Sequence, residues 1–279
     1  MNSLHALLIG LIEGFTEYLP VSANAHVLIL GHFLGENPDL LRSFGVALQA
    51  APALAVLILY WRRFDALLRP GHAGPTRFKG LHAWKVMALV TLPVLLCGFF
   101  LKKYVYVLLD SPYPSVAGMA LGGLAILWAE SRVKGRQAVS VEEVTLLQAF
   151  GVGLFQCLAL WPGVSRSGAT IIGGLLLGLD RKAAAEFSFL AGVPVFLAAA
   201  AKELHDSHHL LRSLPAGAQP QPSVFTEPAA FALAFVVSFG IALLTVRWFM
   251  ALLGRVSFRP FGWYRLALSP VLYWFLTLS

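Results

Sequence analysis

Charge is what this chain has least of. Lys, Arg, Asp and Glu make up 13% of its 279 residues and hydrophobic residues 58%, whereas a soluble globule normally carries about a quarter charged residues. So little charge cannot coat a water-bathed surface of this size, and the bilayer is the natural solvent. Cysteine is almost missing as well. Cys97 and Cys157 both lie in apolar stretches without a CxxC pattern, which argues for small packing residues and against a disulfide framework or a thiolate metal site. Residues 1–12 have neither a basic n-region nor a clear small-residue cleavage site, so a removed signal peptide is not expected there.

The charge that is present is mostly basic, with a formal net charge of +7. Nucleic acid is a poor partner for it, because the Lys and Arg residues sit between apolar runs rather than in one stripe with interleaved aromatics. Seven charge-free runs separate them: 43–61, 86–101, 111–129, 144–165, 187–201, 228–246 and 266–279. Several fall short of the roughly 20 residues an untilted helix needs to cross a bilayer, and snorkelling Lys and Arg at their ends extend them. Basic residues collect in cytoplasmic loops. Crossing at each span places fifteen inside, in segments 62–85, 130–143, 180–186 and 247–265, and four outside, in segments 102–110 and 202–227. The count closes only if residues 1–35 and 144–179 enter and leave on one side, as re-entrant hairpins broken by Pro, Gly and Ser.

A shift of 143 residues aligns the two hairpins. Ile12-Glu13 meets Phe155-Gln156, Ser22 meets Ser165, Gly31 meets Gly174, Phe44 meets Phe187, and Pro20 meets Pro162 after a one-residue gap. Three spans between the Phe44 and Phe187 helices make the copies opposite in direction. The expected fold is therefore an all-α polytopic membrane domain over residues 1–279. It has about six transmembrane helices plus two re-entrant helical hairpins in an inverted-topology repeat, roughly 1–101 and 144–253. Such folds place a polar site where interrupted helices meet.

Both hairpins carry the residues for one. In Glu13-Gly14-Phe15-Thr16-Glu17-Tyr18-Leu19-Pro20-Val21-Ser22-Ala23-Asn24-Ala25-His26, the carboxylates lie four apart on one helix face with no Lys or Arg before Arg42. Either the pair is solvated at the water interface, or one acid is protonated, or a cation sits between them. In Trp161-Pro162-Gly163-Val164-Ser165-Arg166-Ser167-Gly168-Ala169-Thr170, hydroxyls and a guanidinium precede an apolar helix expected from near Ala169, an anion site by composition. Arg166 could instead only pair with Glu13 or Glu17.

These two motifs, with Gln49 and with Arg181 and Glu186-Phe187-Ser188-Phe189, resemble the undecaprenyl-diphosphate phosphatase family linked to bacitracin resistance, over essentially the whole chain. The resemblance implies hydrolysis of a polyprenyl diphosphate to its monophosphate and inorganic phosphate at the outer face of a bacterial cytoplasmic membrane. It implies catalytic roles for Glu17, Ser22, His26 and Arg166, and substrate binding by Ser165, Ser167, Thr170, Arg181 and Gln49. A divalent cation, Mg²⁺ or Ca²⁺, would be held by Glu13 and Glu17. The partners are the lipid and the bilayer; the oligomeric state, a homodimer included, is left open.

One departure matters. The family's usual second serine is Ala23 here, and Asn24-Ala25 replaces the commoner Thr-Gly. Three readings follow: Ser22 attacks, water attacks with Glu17 or His26 as base, or the chain is a diverged and weak enzyme; a catalytically weakened lipid-diphosphate binder is one rival. A lipid-phosphate transporter is the rival of another class. His205, His208 and His209 beside Asp206 are read as a solvated polar loop rather than a metal cluster. Arg42 is read as an interfacial anchor outside a span end; His5 and Gln49 are candidate cavity residues.

Overall fold

The computed structural model describes residues 1–68, 78–109, 111, 113–132, 140–213, 225–253 and 255–278. Asp110 and parts of the predicted loops at 62–85, 130–143, 202–227 and 247–265 lie outside the described residues. All regular structure among the described residues is helical: α1 (Ser3–Thr16), α2 (Ala23–Phe33), α3 (Pro38–Leu48), α4 (Ala50–Leu59), α5 (Trp61–Leu68), α6 (Gly80–Leu109), α7 (Tyr113–Arg132), α8 (Leu146–Cys157), α9 (Arg166–Leu176), α10 (Arg181–Ser213), α11 (Pro228–Leu252) and α12 (Arg259–Leu278), with 3₁₀ turns at Val141–Glu143 and Leu158–Leu160.

Four helical segments, Pro38–Leu59, Gly80–Val105, Arg181–His209 and Pro228–Leu252, are long and apolar enough to cross a membrane. Helices α7 and α12, with 20 residues each, reach about 30 Å, the thickness of a hydrocarbon core. Helices α1 and α8, at 14 and 12 residues, cannot cross and turn back as hairpins. The first span is interrupted at Gln49 because Pro52 has no N–H to offer the Leu48 carbonyl, and a helix gives way at such a vacancy.

The repeat is written in the backbone. Ser22 at φ 74° and Ser165 at φ 75° are the only non-glycine residues at positive φ among the described residues, and they stand 143 positions apart. Gly35 and Gly178 both adopt positive φ after the hairpins. Asn37 then caps α3 through the N–H of Leu40, at 3.2 Å, as Asp180 caps α10 through that of Ala183, at 2.6 Å. Packing repeats too: α1 lies on α11, and α8, its counterpart, lies on α6. A Cβ at Gly10 would sit 2.5 Å from the Ala234 carbonyl, and one at Gly153 would sit 2.7 Å from that of Leu89.

The halves are inverted. Ser43 bonds Glu203 at 2.8 Å while Arg63 meets Glu186 at 3.2 Å, so the α3–α4 span runs antiparallel to α10, its counterpart. The main core, including Tyr18, Phe187, Phe189 and Phe249, fills the space around these two spans.

Two expectations are corrected. The His205 region is not a loop: α10 continues to Ser213, and the Lys202–Asp206 pair and the Ser207–Glu203 bond, both one turn apart, sustain it. Arg42 lies inside α3 rather than beyond a span end.

Candidate active site

The hairpins meet tip to tip. The N-terminal tip is the turn from Glu17 to Ser22, whose carbonyl accepts from the His26 N–H at 3.3 Å and from His26 Nδ1 at 2.8 Å. The second is the turn from Trp161 to Val164, after which α9 starts at Arg166, three residues before the expected Ala169. Ser165 caps that helix through the Gly168 N–H at 3.1 Å. The free N–H groups of a first turn, with the helix dipole, favour an anion. Non-glycine residues at positive φ cost free energy and concentrate at functional sites; both here are site serines.

Glu17 of the first hairpin faces Arg166 of the second, with Glu13 one turn before it on the same helix. The Glu17 carboxylate lies 3.8 Å from Arg166 Nη2, an ion pair too long for a strong hydrogen bond. Arg166 Nη1 donates to the Ser188 carbonyl at 2.6 Å, while its Nε and Nη2 have no hydrogen-bond partner. The guanidinium lies over Phe196, 4.3 Å from the ring centroid, and 5.4 Å from that of Tyr18. Gly192 clears the remaining side: a Cβ there would stand 2.5 Å from its Cζ. Arg166 is thus fixed in place with donors unspent, the condition for gripping an oxyanion.

Glu13 is fully buried, and neither of its carboxylate oxygens has a hydrogen-bond partner. Buried acid oxygens without a donor are costly, and a hard cation would supply their missing contact. No group of three or more His, Cys, Asp or Glu residues among the described ones could enclose a metal. Mg²⁺, however, is usually bound by one or two carboxylates together with waters and substrate phosphate oxygens, and Ca²⁺ can fill the remainder of its larger shell with the same oxygens. Glu13 and Glu17 fit that donor set.

Other expected residues hold the frame. Ser167 donates to the Leu19 carbonyl at 2.8 Å, tying one tip to the other, and contacts Ser165 Oγ at 3.1 Å. Thr170 bonds Ser188 Oγ at 2.6 Å. Gln49 Nε2 reaches Asn24 Oδ1 at 3.4 Å, a contact between the first span and α2. Arg181 does not join the cluster; its guanidinium meets both oxygens of Glu130, at 2.8–3.2 Å, while Glu130 also accepts the Phe258 N–H at 2.8 Å. His5 pairs with Glu36 at 2.5 Å.

Three contributors escaped the sequence reading. Ser188 accepts from Arg166 Nη1 through its carbonyl and meets Thr170 Oγ1 through its hydroxyl. Tyr264 Oη lies 2.7 Å from His26 Nε2. Arg265, counted above as a loop residue, has no solvent exposure and donates to the carbonyls of Pro20, Gly118, Met119 and Gly163 at 2.8–3.2 Å. The signal was the last apolar run, 266–279, which reaches the length of a span only if Arg265 lies inside it.

These features define a polytopic membrane protein whose two inverted halves each send a broken hairpin to a buried cluster of carboxylates and hydroxyls around one arginine. The family described as "Bacitracin resistance protein BacA" matches residues 6–271, and the chain belongs to it. Among its relatives is the undecaprenyl-diphosphatase of Oleidesulfovibrio alaskensis, 42% identical over 97% of this chain and 98% of that one. The proteins of the same name from Nitratidesulfovibrio vulgaris and Maridesulfovibrio salexigens are 42% and 40% identical, over 99% of this chain and 98% and 99% of theirs.

Proposed function

We propose that this chain hydrolyses undecaprenyl diphosphate to undecaprenyl phosphate and inorganic phosphate, recycling the lipid carrier for peptidoglycan synthesis and giving bacitracin resistance. The observation that carries this is Arg166: a buried guanidinium, immobilised by Ser188 and Phe196, whose Nε and Nη2 have no hydrogen-bond partner and whose Nη2 lies 3.8 Å from the Glu17 carboxylate of the other hairpin. The terminal phosphate of the substrate sits against those donors and the first turn of α9. Phosphoryl transfer depends on positioning and charge stabilisation more than on covalent chemistry by the protein. A divalent cation, Mg²⁺ or Ca²⁺, held by Glu13 and Glu17 would neutralise diphosphate charge.

Water is the nucleophile. Its oxygen bonds to the terminal phosphorus, the bridging P–O bond breaks, and the lipid monophosphate leaves. The proton goes to His26. The Ser22 carbonyl can only accept, so Nδ1 of the neutral ring carries the hydrogen and Nε2 is the basic nitrogen. A serine route through position 23 has no hydroxyl to use.

The prenyl chain lies among the apolar helices. A cavity of about 480 Å³ supports this: it is lined mainly by apolar side chains, among them Val27, Leu28, Phe33, Met119, Leu272 and Phe275, with Asn24 and Ala25, the two residues before His26, also in its wall. We place the protein in the bacterial cytoplasmic membrane with the site facing outward, on the excess of Lys and Arg in the loops assigned to the inside; a homodimer is compatible with this arrangement.

Inverted repeats with broken helices are also a transporter pattern. Phosphate release from undecaprenyl diphosphate by the detergent-purified protein separates the two. Release that stops with chelator and in Arg166→Ala supports the phosphatase; binding or movement of the lipid with no phosphate released, or a fully active Arg166→Ala, overturns it.

A further inference from the structure

We propose that Tyr264 is a positioning residue for His26: its hydroxyl holds the imidazole in the Nδ1–H tautomer with Nε2 aimed as the basic nitrogen. The role of His26 as base rests on the function proposed above; the Tyr264 contact does not.

The two residues come from opposite ends of the chain, 238 positions apart, yet Tyr264 Oη stands 2.7 Å from His26 Nε2. The Ser22 carbonyl takes the hydrogen on Nδ1 at 2.8 Å, so Nε2 presents a lone pair and the tyrosine hydroxyl is the donor that fits it. The rings also stack, with an interplanar angle of 9° and centroids 5.7 Å apart, which fixes the imidazole plane independently of the hydroxyl. A ring flip would forfeit the Ser22 and Tyr264 hydrogen bonds together.

The hydroxyl is itself well placed. The next residue, Arg265, bonds the carbonyls of Pro20 and Gly163, one in each hairpin tip. Helix α12 is therefore registered against both turns at the very position that carries Tyr264. Tyr264 is partly exposed and His26 partly buried, so their contact lies at the edge of the packed helices rather than sealed inside them. When the phenol O–H turns aside, a water molecule takes its place at Nε2. As the water oxygen bonds to phosphorus, its proton moves to Nε2, and the charged ring is held by the Ser22 carbonyl.

Tyr264→Phe tests this because it keeps the ring and its stacking while deleting the hydroxyl. The readouts are phosphate release with undecaprenyl diphosphate and the nitrogen NMR resonances of the His26 ring, assigned by their loss in His26→Gln. The expected result is a fall in kcat of about tenfold or more, KM within about threefold, and a displaced Nε2 resonance. An unchanged kcat, or a His26 resonance that does not move, overturns the proposal, as does a wild-type spectrum showing Nε2–H. Absence of phosphate release by the wild-type protein would instead refute the phosphatase reading, and the resonance would still decide the Tyr264 contact.

Discussion

Gly192→Ala changes no charge and removes no hydrogen-bonding group, yet it bears directly on the grip of Arg166. The added methyl carbon would stand 2.5 Å from the guanidinium Cζ and Nη2 and 2.6 Å from Nη1. Ordinary contact needs about 3.5 Å, so the guanidinium must move by about 1 Å. It cannot do so without loosening the Ser188 carbonyl bond at 2.6 Å or its stack on Phe196 at 4.3 Å. Displacements of that size at a positioning group cost about 100-fold in rate, or about 2.7 kcal/mol. Alanine also stabilises a helix interior by about 1 kcal/mol relative to glycine, which works against any claim that lost activity reflects unfolding. The assay is single-turnover phosphate release beside a thermal melt. A variant that melts normally and turns over at the wild-type rate would refute the placement of the fixed guanidinium on the reacting phosphate.

Glu13→Gln, which keeps the shape and removes the charge, is expected to lower kcat about 100-fold and to raise the Mg²⁺ concentration needed for half-maximal activity; an unchanged metal titration would remove Glu13 from the cation site. Ala23→Ser is expected to leave kcat nearly unchanged, because water attack does not use a hydroxyl at that position, whereas a sharp gain in kcat would show that a serine route is open to this chain. Arg181→Ala strands the buried Glu130 carboxylate and is expected to cost about 3 kcal/mol of stability, with kcat per folded molecule within twofold. Loss of activity at unchanged stability would return Arg181 to the substrate.

The site was legible wherever its chemistry was local. Glu13 and Glu17 stood out because two acids on one face of an apolar helix require compensation, and Ser165-Arg166-Ser167 because donors crowd a helix start. The inverted repeat was legible through the positions that geometry constrains most, Ser22 with Ser165 and Gly31 with Gly174. What stayed hidden came from contacts between distant segments. No feature near Tyr264 announces His26, and Ser188 acquires its role only when α10 is laid beside α9. Arg265 was misread for a different reason: a membrane arginine was counted by its charge, while four backbone carbonyls were waiting to satisfy it. The extension of α10 past Lys202 was missed because polar composition was equated with a loop, although side chains one turn apart support each other there.

The bonds from Arg265 to Pro20 and Gly163 have a mechanical meaning. One side chain holds the tips of both hairpins, and through Gly118 and Met119 it holds α7 as well. Neither tip can swing away alone without abandoning a charge-assisted hydrogen bond in a place no water can refill. Whatever motion admits substrate must therefore carry the two tips, α7 and α12 together as one body, leaving the outer ends of the hairpins and the spans around them to yield.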